Sequence, residues 1–216
     1  MGGGMWFVNG ARKKKSVLRA GFAAAFLMVC GVYAQTKNVK STPSVSAFKD
    51  SRDGKTYKKV TIGTQTWMAK NLNYAANNSV CYGNSAENCA EYSRLYNWAT
   101  AKTACPTGWH LPSDDEWTML TDNVGGSKTA GTKLKSKSDW NNDGNGTDDY
   151  GFSALPGGSG SSGGGFDDAG DYGHWWSSTE YDAYYAWYRS MNGLSENVLR
   201  NYNDKIYLFS VRCVQD

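Results

Sequence analysis

Short runs of apolar and β-branched residues appear once the chain has passed residue 50, and they are typical of paired β-strands. Tyr57, Val60 and Ile62 lie in the first run, and residues 65–69 form the second. Between them, residues 63–64 are a Gly-Thr pair that suits a tight turn. The pattern therefore predicts that the folded domain begins with a β-hairpin.

A helical period follows in residues 92–104, where Leu95, Trp98 and Lys102 fall on the 3.6-residue spacing. Proline has no backbone N–H and clashes with the preceding turn, so Pro106 does not allow this helix to continue. The spacing predicts a first helix over 92–104.

A capping motif predicts where a second helix begins. Residues 105–112 are rich in Trp, Pro and Gly and predict a short core strand. Ser113 and Glu116 then match the S-x-x-E capping box, so we expect the helix to begin at Asp114 and to end at the glycine pair 125–126. Its apolar residues recur at i, i+3 and i+7: Trp117, Leu120 and Val124.

The C-terminal half predicts loops and then strands. Residues 140–173 are dominated by Gly, Ser, Asn and Asp, which indicates long surface loops anchored by Phe152 and Leu155. Three strands are predicted after them, at 184–191, 197–201 and 206–214. Strands, two helices, loops and further strands make an α+β domain.

The N-terminus has the pattern of a secretory signal peptide over residues 1–34. Four basic residues at 12–15 precede an apolar run from 20 to 34, and Val32-Tyr33-Ala34 is a cleavage site before Gln35. The run is shorter than the about 20 residues that a membrane span needs, and we expect no transmembrane segment in the mature chain. Cys30 offers an alternative, lipid anchoring after lipoprotein-type processing.

Export changes the charge balance. The signal peptide contains five of the 23 basic residues and no acidic one, which leaves 18 basic against 20 acidic residues. Such a chain has no basic footprint for nucleic acid or anionic lipid. We therefore expect a secreted or cell-envelope protein, with a Ser/Thr/Lys-rich tether over 35–50 that is disordered and one domain over 51–216.

Four cysteines remain after export, and they allow three disulfide pairings. An even number of cysteines in an exported chain indicates disulfides rather than a metal or redox site, and no C-x-x-C is present. We expect Cys81 to pair with Cys89 and Cys105 with Cys213.

Several segments carry a family resemblance when taken in order. They are Asp53-Gly-Lys, Ile62-Gly-Thr-Gln-Thr-Trp-Met-Ala-Lys-Asn-Leu72, Arg94-Leu-Tyr-Asn-Trp98, Cys105-Pro-Thr-Gly-Trp-His-Leu-Pro112, Trp176-Ser-Ser-Thr179 and Ser210-Val-Arg-Cys213. The chain resembles the Fibrobacter succinogenes major paralogous domain family over roughly residues 50–216. This resemblance implies export and a fold, and it supplies no catalytic residue.

A more distant resemblance concerns the C-type lectin-like fold. His110-Leu-Pro-Ser-Asp-Asp-Glu-Trp117 is similar to the R-L-P-T-E-x-E-W segment of the formylglycine-generating, sulfatase-modifying proteins. The resemblance implies two helices, small antiparallel sheets, long Gly/Asn-rich loops and a long-range disulfide like Cys105–Cys213. The E-P-N and W-N-D calcium motifs of sugar-binding lectins are absent from the sequence, and so is the late cysteine pair of the oxidising enzymes.

One segment has part of the ligand spacing of a calcium loop. Alternating oxygen-bearing residues precede and follow Gly144, as in the front half of an EF-hand-type loop: Asp139, Asn141, Asp143 and Asn145. Position 12 of such a loop is Tyr150 here, where an EF-hand has a bidentate Glu. Asn, Asp and Gly also make ordinary turns. Calcium and a structural turn both stay open, and we expect no other cofactor.

Catalytic candidates are few because the chain has two histidines, His110 and His174. Ser177 and Ser178 lack the G-x-S-x-G surroundings of a hydrolase nucleophile. Carboxylates at 114–116 and 167–168 leave a glycoside hydrolase open as an alternative. Neither group requires a catalytic role. Acidic residues at 114–116 suit the positive end of the helix dipole, and those at 167–168 suit a solvent-exposed loop.

Aromatic and short polar residues concentrate in 175–207. Tyr and Trp supply rigid contact area, while Asn and Asp supply adaptable hydrogen bonds, although strand alternation would bury about half of the rings. The predicted ligand-binding residues are Trp175, Tyr181, Asp182, Tyr184, Asn192, Asn201 and Tyr202. A retroelement-diversified displayed receptor is a variant of this hypothesis, and it requires a near-copy of the segment in neighbouring DNA.

These patterns favour an exported, non-catalytic ligand-binding or surface-display module with a glycan or protein partner at the cell surface. The alternatives are a structural cell-envelope protein and a secreted enzyme, either a glycoside hydrolase or a formylglycine-generating-like oxidoreductase.

Overall fold

A computed structural model describes residues 46–216. The helices are α1 (Ala86–Glu91), α2 (Trp98–Ala104), α3 (Asp114–Asn123) and α4 (Ala130–Leu134). The strands are β1 (Ser46–Lys49), β2 (Thr56–Ile62), β3 (Gln65–Met68), β4 (Ser79–Cys81), β5 (Arg94–Tyr96), β6 (Trp109–His110), β7 (Gly157–Gly160), β8 (Phe166–Ala169), β9 (Tyr172–Glu180), β10 (Tyr185–Asn192), β11 (Leu199–Asp204), β12 (Phe209–Ser210) and β13 (Val214–Gln215). Within this part of the chain, no helix has the length and hydropathy of a membrane span.

The strands form two sheets. The first has five strands in the order β1-β2-β3-β13-β6. The second has eight, with the path β11-β10-β9-β12-β5-β4, while β7 pairs with β9 and β8 with β7. Most pairs are antiparallel, and the parallel ones are β12 with β9 and β7 with β9. The α+β prediction is confirmed, with four short helices in residues 46–216 where two were expected.

The N-terminal hairpin agrees with the prediction. Ile62 pairs with Gln65 across the turn at 63–64, and Val60 pairs with Trp67. The prediction of a disordered tether as far as residue 50 was wrong, because β1 pairs with β2 and Asp50 is buried, where its carboxylate accepts hydrogen bonds from Arg52. The predicted signal peptide with Cys30, and tether residues 35–45, lie outside the described residues.

The first predicted helix, 92–104, was wrong in its first half. Leu95 is paired with Val80 on one side and Ser210 on the other, so sheet pairing fixes β5 in an extended conformation. The helix begins only after Asn97, whose side chain accepts the N–H of Thr100. Helix α1 was not predicted.

Helix α3 was predicted correctly at its start. Ser113 Oγ accepts the N–H of Glu116 and the Glu116 carboxylate accepts the N–H of Ser113, which completes the capping box. Trp117 and Leu120 are buried on its inner face. The strand before it is shorter than expected, since 105–112 contains only the two residues of β6.

The segment 140–173 contains more structure than the predicted loops. Phe152 is a buried anchor, but β7 and β8 lie in this segment and α4 precedes it. At the C-terminus β10 matches the predicted strand 184–191, and β11 begins two residues later than expected. The predicted strand 206–214 is divided into β12 and β13, which belong to different sheets.

Two hydrophobic clusters fill the interior on opposite sides of β9. Trp175 packs in the cluster that contains Trp67 and Trp117, and its neighbour Trp176 packs in the one that contains Tyr96 and Phe209. Adjacent residues of a strand face opposite sides of the sheet, so the tandem tryptophans anchor both clusters. Both rings are fully buried.

Both predicted disulfides are present, Cys81–Cys89 and Cys105–Cys213. The second joins the residue after α2 to the residue before β13, across 108 positions of sequence. It therefore ties the middle of the domain to its last strand.

Candidate ligand-binding surfaces

The hairpin of β10 and β11 lies at one edge of the eight-stranded sheet and has two different faces. Trp187 is opposite Tyr202, and the neighbouring Tyr188 is opposite Asn201. Because side chains alternate along a strand, Trp187 and Tyr202 share one face while Tyr188 and Asn201 share the other. Each face carries a distinct group of aromatic side chains.

The first face carries what we call the aromatic cluster, formed by Tyr181, Tyr185, Trp187 and Tyr202. Tyr181 and Tyr202 stack with ring centroids 4.0 Å apart and planes 3° from parallel. Trp187 and Tyr185 meet Tyr202 edge-on at 5.7 and 5.8 Å. The rings thus fix one another in place while part of each stays in solvent.

Arg200 connects the aromatic cluster to helix α3. Its guanidinium lies 3.3 Å from the centroid of the Trp187 ring, and its Nε donates to the Asp114 carboxylate at 2.8 Å. The buried Arg189 donates to the same carboxylate at 2.5 Å. Burial lowers the pKa of Arg189, and the Asp114 carboxylate opposes that shift. Two arginines on one carboxylate anchor the hairpin to the first turn of α3.

Most of the predicted ligand-binding residues are accessible. Tyr181, Tyr184 and Tyr202 are 47%, 74% and 49% exposed. Asn201 is exposed on the second face. Asp182 is exposed as well, and its Oδ1 accepts the N–H groups of Tyr184 and Tyr185 in the turn before β10.

Three of the predicted residues do not belong with the others, and one of them is Asn201, which lies on the second face. Trp175 is fully buried and donates from Nε1 to Asn71 Oδ1, so its inclusion in a surface site was wrong. Asn192 is half-buried at the far end of β10, where its Oδ1 accepts the N–H of Leu194. The structure brings together Tyr181, Asp182, Tyr184 and Tyr202, around the turn between β9 and β10 and on the adjoining strand β11.

The second face of the hairpin borders a cavity of about 390 Å³. We call it the His174 pocket, and its lining combines carboxylates, aromatic rings and neutral polar groups: Ser159, Asp167, Asp168, His174, Tyr188, Asn203, Tyr207 and Phe209. The sequence did not predict this pocket, although it identified His174 and the carboxylates at 167–168 separately.

The imidazole of His174 is enclosed by aromatic rings. It stacks on Tyr172 and Phe209, with ring centroids 5.7 and 5.0 Å away, and it meets Tyr188 edge-on at 5.6 Å. Burial lowers the pKa of His174 to about 4, so the ring is neutral at pH 7. Its Nδ1 is buried without a hydrogen-bond partner, and its Nε2 is 4.0 Å from Asp168 Oδ2.

The carboxylates of the pocket depend on an irregular strand. Asp168 has a φ of 72°, in the left-handed region that Asp and Asn tolerate better than most residues. Gly158 on β7 has a φ of 64°, and a Cβ there would lie 2.5 Å from the Asp167 carbonyl oxygen. Both Asp167 and Asp168 border the cavity, whereas adjacent residues of a regular strand face opposite sides.

The predicted calcium loop has its side-chain oxygens partly engaged within the protein. Asn145 Oδ1 accepts the N–H of Trp140, and Asp139 Oδ2 accepts the hydroxyl of Ser138. Asp139, Asn141 and Asp143 are exposed. Residues 46–216 contain no group of three or more His, Cys, Asp or Glu side chains placed to hold a metal ion. Calcium binding at this loop stays a prediction.

His110 lies outside both surfaces and bridges two carboxylates. Its Nδ1 is 2.6 Å from Asp216 Oδ1, and its Nε2 is 2.8 Å from Glu116 Oε1. Partial burial opposes protonation, but the two carboxylates prevail and raise the pKa of His110. This histidine therefore joins the C-terminal segment to the capping box of α3.

Comparison with known proteins shows the family of this chain. No curated protein and no solved structure is significantly similar to the chain. The model of the Fibrobacter succinogenes major domain matches residues 60–215, which include both disulfides, both sheets from the end of β2 onward and both candidate surfaces. The chain therefore belongs to the Fibrobacter succinogenes major domain family.

Proposed function

We propose that this protein is an exported, non-catalytic binding module whose aromatic cluster receives a glycan or protein ligand. One observation carries the proposal. Nine large apolar or aromatic side chains are exposed in residues 46–216, and eight of them lie between 181 and 207. Scattered exposed apolar residues are normal on a protein, whereas a concentration of them indicates an interaction surface.

The chemistry of the aromatic cluster suits recognition. A tyrosine ring offers an apolar face for the C–H groups of a sugar or for a side chain, and its hydroxyl offers a hydrogen bond. Asp182 adds a carboxylate beside the rings, of which Oδ2 is not used in the local turn. Rings that already stack on one another lose little conformational entropy when a ligand binds.

We further propose that the α+β architecture is of the C-type lectin-like type. Two features support this proposal: the bond between Cys105 after α2 and Cys213 before β13, and the capped helix α3 that follows β6. A lectin-like hairpin would present the aromatic cluster at the molecular surface.

Export through residues 1–34, with lipid anchoring at Cys30 as the alternative, belongs to the same proposal. It is supported by the two disulfides, which persist in oxidising compartments. The mass and N-terminal sequence of the protein recovered from its native cells decide between the two. A start at Gln35 indicates cleavage by signal peptidase, and an acylated Cys30 indicates an anchored protein.

The binding proposal is tested on an array of plant and bacterial glycans, using the oxidised protein expressed from the full sequence. A triple variant, Tyr181→Ala, Tyr184→Ala and Tyr202→Ala, removes the two stacked rings of the aromatic cluster and the 74% exposed Tyr184 from the adjoining turn. The matched control, Met119→Ala, Lys128→Ala and Lys137→Ala, changes three exposed residues elsewhere. Folding of both variants is verified first by thermal unfolding.

We expect saturable binding that is lost in the tyrosine variant and kept in the control. A calcium chelator in a parallel array tests whether the loop at 139–145 contributes. A flat array would exclude a glycan among those tested and leave a protein ligand, for which the same two variants are compared in cross-linking experiments. Binding that survives the tyrosine variant would contradict the role of the aromatic cluster.

A further inference from the structure

The His174 pocket lies on the face of the β10–β11 hairpin opposite the aromatic cluster, so the function proposed above does not use it. His174 is opposite Ser190 in the sheet, and Tyr188, two residues from Ser190, faces the same side. Asn203 is opposite Ala186 and joins them on that side. The pocket is therefore a second concave surface with its own lining.

The pocket carries negative charge that no neighbouring side chain neutralises. Within residues 46–216, Asp167 and Asp168 form no ion pair with a lysine or arginine, and neither carboxylate accepts a hydrogen bond. The contact of Asp168 with His174 spans 4.0 Å, which is too long for a hydrogen bond. Burial and the charges of Asp167 and Asp171 raise the pKa of Asp168. This shift is the one expected for a carboxylate without a cationic partner.

His174 adds a polar wall without adding charge. The residue is only 9% exposed, its ring borders the cavity, and its buried Nδ1 has no hydrogen-bond partner among the described residues. Since the imidazole is neutral at pH 7, it leaves the two carboxylates uncompensated.

The remaining wall is aromatic. Phe209, Tyr188 and Tyr207 border the same cavity, with Tyr188 and Phe209 4.7 Å apart and Tyr207 and Phe209 6.2 Å apart between ring centroids. The faces of aromatic rings attract cations, and the attraction grows as the cation loses water. The carboxylates and the aromatic rings of this lining are both complementary to a positive ligand.

We propose that the His174 pocket binds a small organic cation, whose ammonium group lies between the carboxylates of Asp167 and Asp168 and the aromatic wall. Calcium fits the lining less well, because it requires six to eight oxygen ligands and the two carboxylates supply at most four. A neutral sugar can donate hydrogen bonds to the two carboxylates but does not neutralise their charge. Ser159 and Asn203 supply hydrogen bonds to the polar part of the ligand.

The test uses choline and glucosamine as probes, with glucose as the neutral control because it has a hydroxyl where glucosamine has its ammonium group. Each is titrated at pH 7 into the oxidised full-length protein and followed by calorimetry and by NMR of the tryptophan and histidine side chains. Calcium chloride is titrated separately. We expect saturable binding of choline and glucosamine and at least tenfold weaker binding of glucose. Added salt should weaken the binding of the two cations.

Variants locate the site. Asp167→Asn and Asp168→Asn together remove the charge and keep the shape, and Asn tolerates the left-handed backbone of residue 168. We expect this double variant to bind both cations at least tenfold more weakly, while Asp149→Asn, a carboxyl change on an exposed residue elsewhere, binds them normally. The tyrosine triple variant should also bind them normally, which separates this proposal from the one above.

Three results would overturn the proposal. Equal affinity for glucose and glucosamine would indicate a site for neutral polyols, and calcium binding without binding of either amine would indicate a metal site. No binding of choline or glucosamine by the folded protein would also overturn it.

Discussion

Arg212 and Asn71 are 141 positions apart in the sequence, and both side chains are fully buried. Arg212 Nη2 donates to Asn71 Oδ1 at 2.7 Å. The same oxygen accepts Nε1–H of Trp175 at 2.8 Å, and the guanidinium also donates to the backbone carbonyl groups of Met68, Phe152 and Ser153. Arg212 thus holds the last strands, the first hairpin and the loop at 152–153 together.

Replacing Arg212 should destabilise the fold severely. Burial lowers the pKa of Arg212 to about 9, so the guanidinium stays charged at pH 7 and its donors all meet oxygen acceptors. Arg212→Met removes the guanidinium donors from the carbonyl groups of Met68, Phe152 and Ser153 and leaves Asn71 Oδ1 with Trp175 as its donor, and we expect a loss of about 3 kcal/mol or more in the free energy of unfolding. Urea denaturation measures it.

Two comparisons control the Arg212 experiment. Lys55→Met, at an exposed residue paired with the exposed Asp53, should cost about 1 kcal/mol at most. Arg212→Lys should also be destabilised, because one ammonium group cannot reach all the acceptors that the planar guanidinium reaches. A loss for Arg212→Met no larger than that for Lys55→Met would contradict the role assigned to the buried guanidinium.

Asp114 should be needed for the hairpin that carries the aromatic cluster. Asp114→Asn keeps the size of the side chain but leaves the buried Arg189 without a counter-charge. Breaking a buried ion pair costs about 3–5 kcal/mol, and we expect a loss at the lower end because Arg200 and solvent reach this site. Asp115→Asn, the neighbouring carboxylate that is exposed, provides the control. Equal stability of the two variants in urea would count against the anchoring role of Asp114.

The two disulfides should contribute unequally to stability. In the loop-entropy model, a cross-link across 108 positions stabilises by about 4.7 kcal/mol, against about 2.5 kcal/mol for one across 8 positions. We therefore expect the Cys105→Ala, Cys213→Ala variant to lose more stability than the Cys81→Ala, Cys89→Ala variant. Chemical denaturation of both double variants tests this order, and the reverse order would show that local contacts around Cys81 dominate.

The contribution of His110 to the stability of the protein should fall as the pH rises through neutrality. The pKa of His110 is raised in the folded state, so its protonation stabilises the fold fully below the unfolded value of about 6.5. That contribution is lost as the pH rises through the folded pKa. We expect a change of up to about 1 kcal/mol, since the ring is partly exposed and the ion pairs are screened.

His110→Gln is the variant that isolates this effect. It keeps a hydrogen-bonding side chain and does not titrate, so the unfolding free energy of the wild type minus that of the variant should decrease between pH 6 and 8. His174, whose pKa burial lowers to about 4 in the folded state, titrates near 6.5 in the unfolded chain and makes stability rise with pH in both proteins, so this difference removes its contribution. A difference that does not change with pH would contradict the role assigned to His110.

Elements with local determinants were predictable from the sequence. The hairpin of β2 and β3 is set by its turn at 63–64, and α3 is set by the Ser113–Glu116 capping box. Strand β5 was not predictable, because the partner that holds Leu95 extended is Ser210, far away in the sequence. Strand β7 consists of three glycines and one serine, residue types that do not favour a strand, so its sequence does not predict one.

The candidate surfaces were predictable to different degrees. Composition identified two members of the aromatic cluster, Tyr181 and Tyr202, because they belong to an unusually aromatic segment. It could not place Trp175, since two adjacent tryptophans give no sign of which one faces which cluster. The His174 pocket depends on the left-handed backbone of Asp168, which spacing alone does not predict.

The central claim is that the aromatic cluster is a binding surface, and its most direct test is a binding isotherm. The glycan with the strongest signal on the array is titrated into the wild-type protein and into the Tyr181→Ala, Tyr184→Ala, Tyr202→Ala variant, both shown to be folded. We predict a saturable isotherm for the wild type and at least a tenfold loss of affinity in the variant. Equal affinities of the two proteins would contradict the claim.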